Sequence, residues 1–143
     1  MTLVQAMRAD VPKLQPDVSL REAAAQMHQA KCLVAPVLDE RGRLTGSLSV
    51  HDLVYRLANS PQPSLRTIRP AVRSDPVCCA SAASLEEVQA LMCAHRQPAI
   101  LVIDPSGQVL GVIDVFQLMD ALCSPQGAAG PEPEYSRRVR GEP

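Results

Sequence analysis

The sequence predicts an α+β fold with mixed, α/β-like sheets, built from two tandem copies of one β-α-β-β-α unit. Three observations carry this. Sliding the chain against itself by about 65 residues aligns about 15 identities over roughly 52 positions without a gap. Each copy holds one helical stripe of apolar residues followed by two short apolar runs. The turn glycines coincide: Gly42 and Gly46 align with Gly107 and Gly111. A unit of about 60 residues is too small to bury a full core alone, whereas two stacked units can.

The elements follow in order. Each copy opens with a short extended piece, residues 12–15 or 77–79. A helix comes next, and Ser19 with Glu22, or Ser84 with Glu87, has the spacing of a capping box. Leu20, Ala23, Ala24 and Met27 then fall on one face, as do Leu85, Val88 and Met92. Lys31 and Arg96 align just before the next strands, where they can cap helix carbonyls or reach a polyphosphate from outside. The apolar strands 33–38 and 99–103 read as buried on both faces. Asp39 to Gly42 and Asp104 to Gly107 fit type I turns, leading into strands 43–48 and 108–113. Short helices, 50–58 and 115–122, complete the units.

This divides the chain into a first repeat (1–58), a linker (59–66), a second repeat (67–123) and a flexible C-terminal tail (124–143). The linker contains Asn59-Ser60-Pro61-Gln62-Pro63-Ser64. The tail is rich in Gly, Pro and Ala and carries the basic run Ser136-Arg137-Arg138-Val139-Arg140.

Composition excludes several functions. The chain has 143 residues, 46% hydrophobic, so its core is aliphatic: only Tyr55, Phe116 and Tyr135 are aromatic. Modules that bind single-stranded nucleic acid stack bases on aromatic rings, which this chain lacks. A formal net charge of -1 leaves no electrostatic footprint for DNA or RNA. No apolar run is long enough for a membrane span, and no secretory h-region is seen. The five cysteines (Cys32, Cys78, Cys79, Cys93, Cys123) do not form a disulfide framework, which points to the cytoplasm. His28, His51 and His95 do not combine with them at metal-ligand spacing. No Cys has a recognisable partner base and no phosphate-cradling Gly-rich loop occurs, so no catalytic residue and no enzyme activity is expected.

The doubled pattern resembles a tandem pair of CBS domains, a Bateman module, over roughly residues 3–122. The resemblance rests on Ser19-Leu20-Arg21-Glu22-Ala23, on Ala35-Pro36-Val37-Leu38-Asp39 with the turn to Gly42, and on Gly46-Ser47-Leu48-Ser49-Val50-His51-Asp52-Leu53. It implies units packed about a pseudo-twofold axis, clefts between them that bind adenosine-containing ligands, and a homodimer.

Gly46 to Asp52 is similar to the family's ribose-phosphate motif. Asp52 in the first helical turn can accept from both ribose hydroxyls, and Ser49 can donate to a phosphate at the helix N-terminus. Gly46 allows close backbone approach. The same Ser-x-x-Asp pattern also makes a helix cap that needs no ligand. His51 lies inside the motif, either near a phosphate or as a solvated helix-start residue. The resemblance extends the site to Leu48 and, from the other repeat, to Ala83, Gln97, Pro98 and Ala99 as an aliphatic adenine wall. Pro98 and Ala99 would start a buried strand in any case. The second repeat departs from the motif: Asp114 stands where Ser or Thr belongs and Gln117 where Asp belongs. Asp114 would repel a phosphate, so one good site per chain is expected.

The resulting expectation is a stand-alone regulatory module. It would bind AMP, ADP, ATP or S-adenosylmethionine in the inter-repeat cleft and signal to a partner protein, with no nucleic acid and no membrane involved. The competing expectation is a dimerising scaffold with vestigial nucleotide sites.

Overall fold

The computed structural model describes residues 1–124. The tail expected from residue 124 therefore lies, beyond Ser124 itself, outside the described residues. The elements are α1 (Leu3–Ala6), α2 (Leu20–Ala30), β1 (Val34–Leu38), β2 (Leu44–Ser49), α3 (Val50–Ala58), β3 (Cys78–Ala80), α4 (Leu85–His95), β4 (Ala99–Ile103), β5 (Val109–Asp114) and α5 (Val115–Cys123). A 3-10 turn, Arg69–Ala71, follows the linker.

Helices α2 and α4 are the long helices of the two repeats. Ser19 Oγ accepts from the Glu22 amide and Ser84 Oγ from the Glu87 amide, at 3.0 and 3.1 Å. The reciprocal half of the capping box is not what Glu22 does; its carboxylate accepts from Gln26 one turn on. The linker supplies further acceptors for α2, with Leu20 N bonded to Arg66 O at 2.8 Å and Arg21 N to Pro63 O at 3.2 Å. Linker and helix start are therefore one structure. Leu20, Ala23 and Met27 of α2 are buried, as are Leu85, Val88 and Met92 of α4, matching the stripes read from the sequence. Both helices end on a left-handed residue, Lys31 at φ 53 and Arg96 at φ 52. Glycine usually occupies that position because a Cβ is penalised there.

Each repeat contains an antiparallel hairpin, β1–β2 and β4–β5, with its bulge in the same place, at Val37/Leu38 and Val102/Ile103. Asp39 Oδ1 accepts from the amides of Arg41 and Arg43, both at 2.9 Å, and Asp104 Oδ1 from those of Ser106 and Gln108, both at 2.9 Å. Gly42 and Gly107 take φ +79 and +90, which closes the turns. In the second repeat β3 pairs parallel with β4, Cys79 opposite Val102. The first repeat keeps that register at a single bridge, Leu14 opposite Val37. Pro12 and Pro16 flank Leu14 without amide donors, so the extended piece expected at 12–15 cannot lengthen into a strand.

The two halves exchange their leading segments. Arg8 trades main-chain hydrogen bonds with Val112 of β5, and Arg73 trades them with Ser47 of β2, at 2.8–3.0 Å. The repeat offset carries Arg8 to Arg73 and Ser47 to Val112, so each pair becomes the other with partners switched, as a pseudo-twofold axis requires. Gly46 and Gly111 lie under these crossings. A methyl at Gly46 would run into Arg73 O, and at Gly111 into Arg8 O. The close approach expected at Gly46 is thus filled by the chain's own backbone.

The core is continuous across the axis. Leu14, Val37 and Leu48 share one buried cluster with Ile68, Ala99, Leu101 and Val112 of the second repeat. The other cluster contains Val88, Ile100, Val102 and Ile113 together with Leu3 from α1. Burying each such side chain contributes about 1.5–3 kcal/mol. The N-terminal helix therefore packs on the second half although it opens the first repeat. Its capping box, Thr2 with Gln5, was a legible start signal that the expectations above leave unused.

Candidate functional site

Helix α3 starts at the end of β2, on the side that faces the other half. Ser49 is its N-cap, with φ -91 and ψ 151; its Oγ accepts from Asp52 N at 3.1 Å and donates to Asp52 Oδ2 at 3.0 Å. The Asp52 side chain is exposed beside it. Across the gap, α4 ends on Arg96, and Gln97 and Pro98 lead into β4. Together these residues line a cleft of ≈ 630 Å³, with Leu33, Val34 and Val54 as its apolar surface. Ser47, His51 and Arg73 also line it. The volume lies within the range of about 300–1,000 Å³ common for small-molecule sites.

Five expected site residues therefore meet in one cleft: Ser49, His51, Asp52, Gln97 and Pro98. Leu48 and Ala99 are buried in β2 and β4, within the core cluster that spans the axis. Ala83 lies elsewhere, in a depression shared with Met1, Thr2 and Ser84. The expectations above pass over Leu33, Val34, Val54, Ser47 and Arg73. Of these, Arg73 left a trace in the sequence, its identity with Arg8 at the repeat offset.

Asp114 and Gln117 form a complete reciprocal cap on α5. Gln117 N donates to Asp114 Oδ1 at 2.8 Å, and Asp114 N to Gln117 Oε1 at 3.1 Å. Beside the repeat counterpart of the cleft, Arg8 donates to Lys31 O at 3.1 Å and Ala30 O at 2.6 Å. The side chains of Lys31 and Arg96 make none of these cap bonds.

The remaining chemistry is quiet. All five cysteines are free; burial pushes Cys79 up to about 11, helped by its neighbour Cys78, and burial also raises Cys32 and Cys78. Among the described residues, no three His, Cys, Asp or Glu side chains gather as a metal would need, and no helix is long and apolar enough to cross a membrane. A second depression, ≈ 430 Å³, holds Asp17, Asp39, Glu40 and Arg69, with Asp17 and Arg69 paired at 2.8 Å.

A family model for the CBS domain matches the chain twice, at residues 3–59 and 66–124. The chain belongs to the CBS domain family. It is a tandem CBS module, and its solved neighbours share the arrangement. The CBS-domain protein ATU1752 of Agrobacterium tumefaciens superposes with a TM-score of 0.73 at 24% identity, over 82% of this chain and 88% of that one. CBSX2, in complex with AMP, superposes at 0.71 and 20% identity, over 84% and 94%. The uncharacterized protein YlbB of Bacillus subtilis is 37% identical over 76 residues, which is 52% of this CBS chain and 51% of YlbB. The match thus spans about half the length of that curated relative.

Proposed function

We propose that this CBS pair is a regulatory sensor that binds one adenosine-containing ligand between its halves. The candidates are AMP, ADP, ATP and S-adenosylmethionine. The observation that carries this reading is that Ser49 and Asp52 of one half share a single cleft with Gln97 and Pro98 of the other. In this reading the Asp52 carboxylate accepts from ribose hydroxyls. Ser49 Oγ and the first amides of α3 suit a phosphate once the hydroxyl lets go of Asp52. His51 stands next to the same phosphate position. With no aromatic ring in the wall, adenine rests on Pro98, Val34 and Val54; Leu48 and Ala99 serve it only through their backbones or neighbours, and Ala83, in a separate depression, takes no part. The AMP complex of CBSX2, a neighbour in fold, supports this choice of ligand.

A ligand in this cleft touches both halves. Binding changes their relative angle and so the surface offered to a partner protein. The module acts by binding rather than catalysis. The partner copy is a second CBS pair: α3 and α5 expose Tyr55, Phe116 and Met119, side chains that a homodimer would cover. Free thiols fit a cytoplasmic setting.

Calorimetry and thermal shift with the four ligands test the reading. One of them raises the melting temperature with a stoichiometry near one per chain, and Asp52→Ala abolishes the effect while Asp114→Ala keeps it. Absence of heat and of any shift at millimolar ligand overturns it and leaves the dimerising scaffold with vestigial sites.

A further inference from the structure

Arg8 and Arg73 occupy equivalent places, and the backbone around them is the same. Each exchanges two main-chain hydrogen bonds with the hairpin of the opposite half. Each Nε faces the equivalent aspartate, Arg8 with Asp10 Oδ1 at 3.6 Å and Arg73 with Asp75 Oδ1 at 3.2 Å, and the two guanidinium groups differ in what else they reach. Arg8 closes the carbonyl end of α2 through Ala30 O and Lys31 O. At the equivalent end of α4, the counterpart of Ala30 is His95, and its carbonyl accepts from Gln97 Nε2 at 3.4 Å instead. Gln97 stands where the first repeat has Cys32, a buried thiol and a weak donor. Gln97 thus serves one of the two carbonyls whose counterparts Arg8 serves, and Arg73 reaches neither.

The Arg73 side chain stays in the wall of the ≈ 630 Å³ cleft, with Arg96 beside it. Arg73 Nε donates to Asp75 O at 3.0 Å and to Asp75 Oδ1 at 3.2 Å. Asp75 is 84% exposed, so this contact is weak and readily exchanged. Two guanidinium groups from the second half therefore share a cavity with the Ser49 cap and the Asp52 carboxylate of the first.

We infer that Arg73 is the anion-recognising residue of this cleft, exchanging Asp75 for a ligand phosphate, and that it makes the ligand a phosphorylated adenosine rather than S-adenosylmethionine. The inference rests on the adenosine reading given above. Guanidinium binds phosphate with paired, charge-assisted hydrogen bonds, whereas the Asp75 carboxylate meets Arg73 through Nε alone. S-adenosylmethionine sets a sulfonium and an ammonium against one carboxylate, so its net charge is positive and Arg73 and Arg96 favour the net-negative AMP over it.

Calorimetry on the full chain with adenosine, AMP and S-adenosylmethionine decides. In the native protein AMP binds at least about tenfold tighter than adenosine and tighter than S-adenosylmethionine. Arg73→Gln removes the advantage of AMP and leaves adenosine unchanged. Asp75→Ala, which removes the competing carboxylate and leaves only the bond from Arg73 Nε to the main-chain carbonyl, strengthens AMP binding severalfold, and this variant decides the matter should Arg73→Gln fail to fold. The inference is overturned if AMP and adenosine bind alike, if Arg73→Gln weakens both equally, or if S-adenosylmethionine binds best. Those results leave the adenosine site standing. Failure of all three compounds to bind removes the site and the inference together.

Discussion

Arg8 Nη2 sits 2.6 Å from the carbonyl oxygen of Ala30, twenty-two residues further along the chain. The contact joins a segment packed on the second half to the end of a helix in the first. It works as a C-terminal cap, and it takes a place that a glycine or helix-borne cation would otherwise fill.

Arg8→Ala should therefore destabilise the protein by about 1–2 kcal/mol, less than a fully buried charged hydrogen bond because the side chain is partly exposed. Arg73→Ala, which gives up only the contact to Asp75, should change ligand-free stability by less than about 0.5 kcal/mol. Urea unfolding of the two variants reads the difference directly; equal losses would mean that the two arginines do the same job.

The crossings over Gly46 and Gly111 make a second prediction. A Cβ at either position meets the main chain of Arg73 or Arg8, and a backbone cannot rotate aside as a side chain can. Gly46→Ala and Gly111→Ala should each cost about 1–3 kcal/mol or more, because the crossing strand must move to admit the methyl. Alanine at Gly42, where nothing lies within 4 Å, tests backbone strain alone, since its φ is +79. A smaller loss at Gly42 than at Gly46 would separate crowding from strain.

These glycines also mark what the sequence made legible. Gly46 and Gly111 recur at the repeat offset, so their importance could be read, but not their reason. The atom that excludes a side chain belongs to a segment from the other half. The capped helices, the hairpins and the Asp39 and Asp104 turns were readable because their causes are local. The placement of α1 on the second half was not, because sequence order and spatial order are exchanged across the axis. In the site, Ser49 and Asp52 were legible from a motif within four residues. Arg73 was not, since the crossing that places it in the cleft joins it to β2 of the other half.

Thiol chemistry gives a third prediction. Thiolate is the reactive form, and burial holds Cys79 at about 11 and raises Cys32 and Cys78. Cys93 and Cys123 are exposed. At pH 8 a thiol reagent such as Ellman's should modify Cys93 rapidly in the native protein, and Cys123, which shares a depression with Phe116 and Met119, only where a second copy leaves that face uncovered. All five should react after denaturation. Rapid native modification of Cys79, located by peptide mapping, would contradict the packing around β3.

The two turn carboxylates predict an acid dependence. The Arg43 amide, chiefly, lowers Asp39 below its ordinary value, and the Ser106 hydroxyl, chiefly, lowers Asp104. A carboxylate with a depressed folded pKa stabilises the fold fully above its unfolded value, about 3.9. That contribution is lost as pH falls through the lower, folded value. Melting temperature should hold between pH 7 and 5 as far as these groups are concerned and fall below about pH 4. The double variant Asp39→Asn/Asp104→Asn should show a shallower fall over that acid window, measured by scanning calorimetry.

The last prediction separates the helix cap from the ligand site, because Ser49 and Asp52 serve both. The cap bond runs from the Asp52 backbone amide to Ser49 Oγ, so it depends on the serine side chain and not on the aspartate carboxylate. Ser49→Ala should cost about 1 kcal/mol in the absence of ligand, the usual loss for an N-cap. Asp52→Asn keeps the amide and the shape, and should leave ligand-free stability within about 0.5 kcal/mol. Its loss should appear only on binding, because an amide oxygen is a weaker acceptor for ribose hydroxyls than a carboxylate. Ser49→Thr retains the hydroxyl and should preserve both stability and affinity. Urea unfolding and calorimetry on these three variants give a two-way pattern. Parallel loss of stability and affinity in Asp52→Asn would show the carboxylate to be a structural group and not a ligand group.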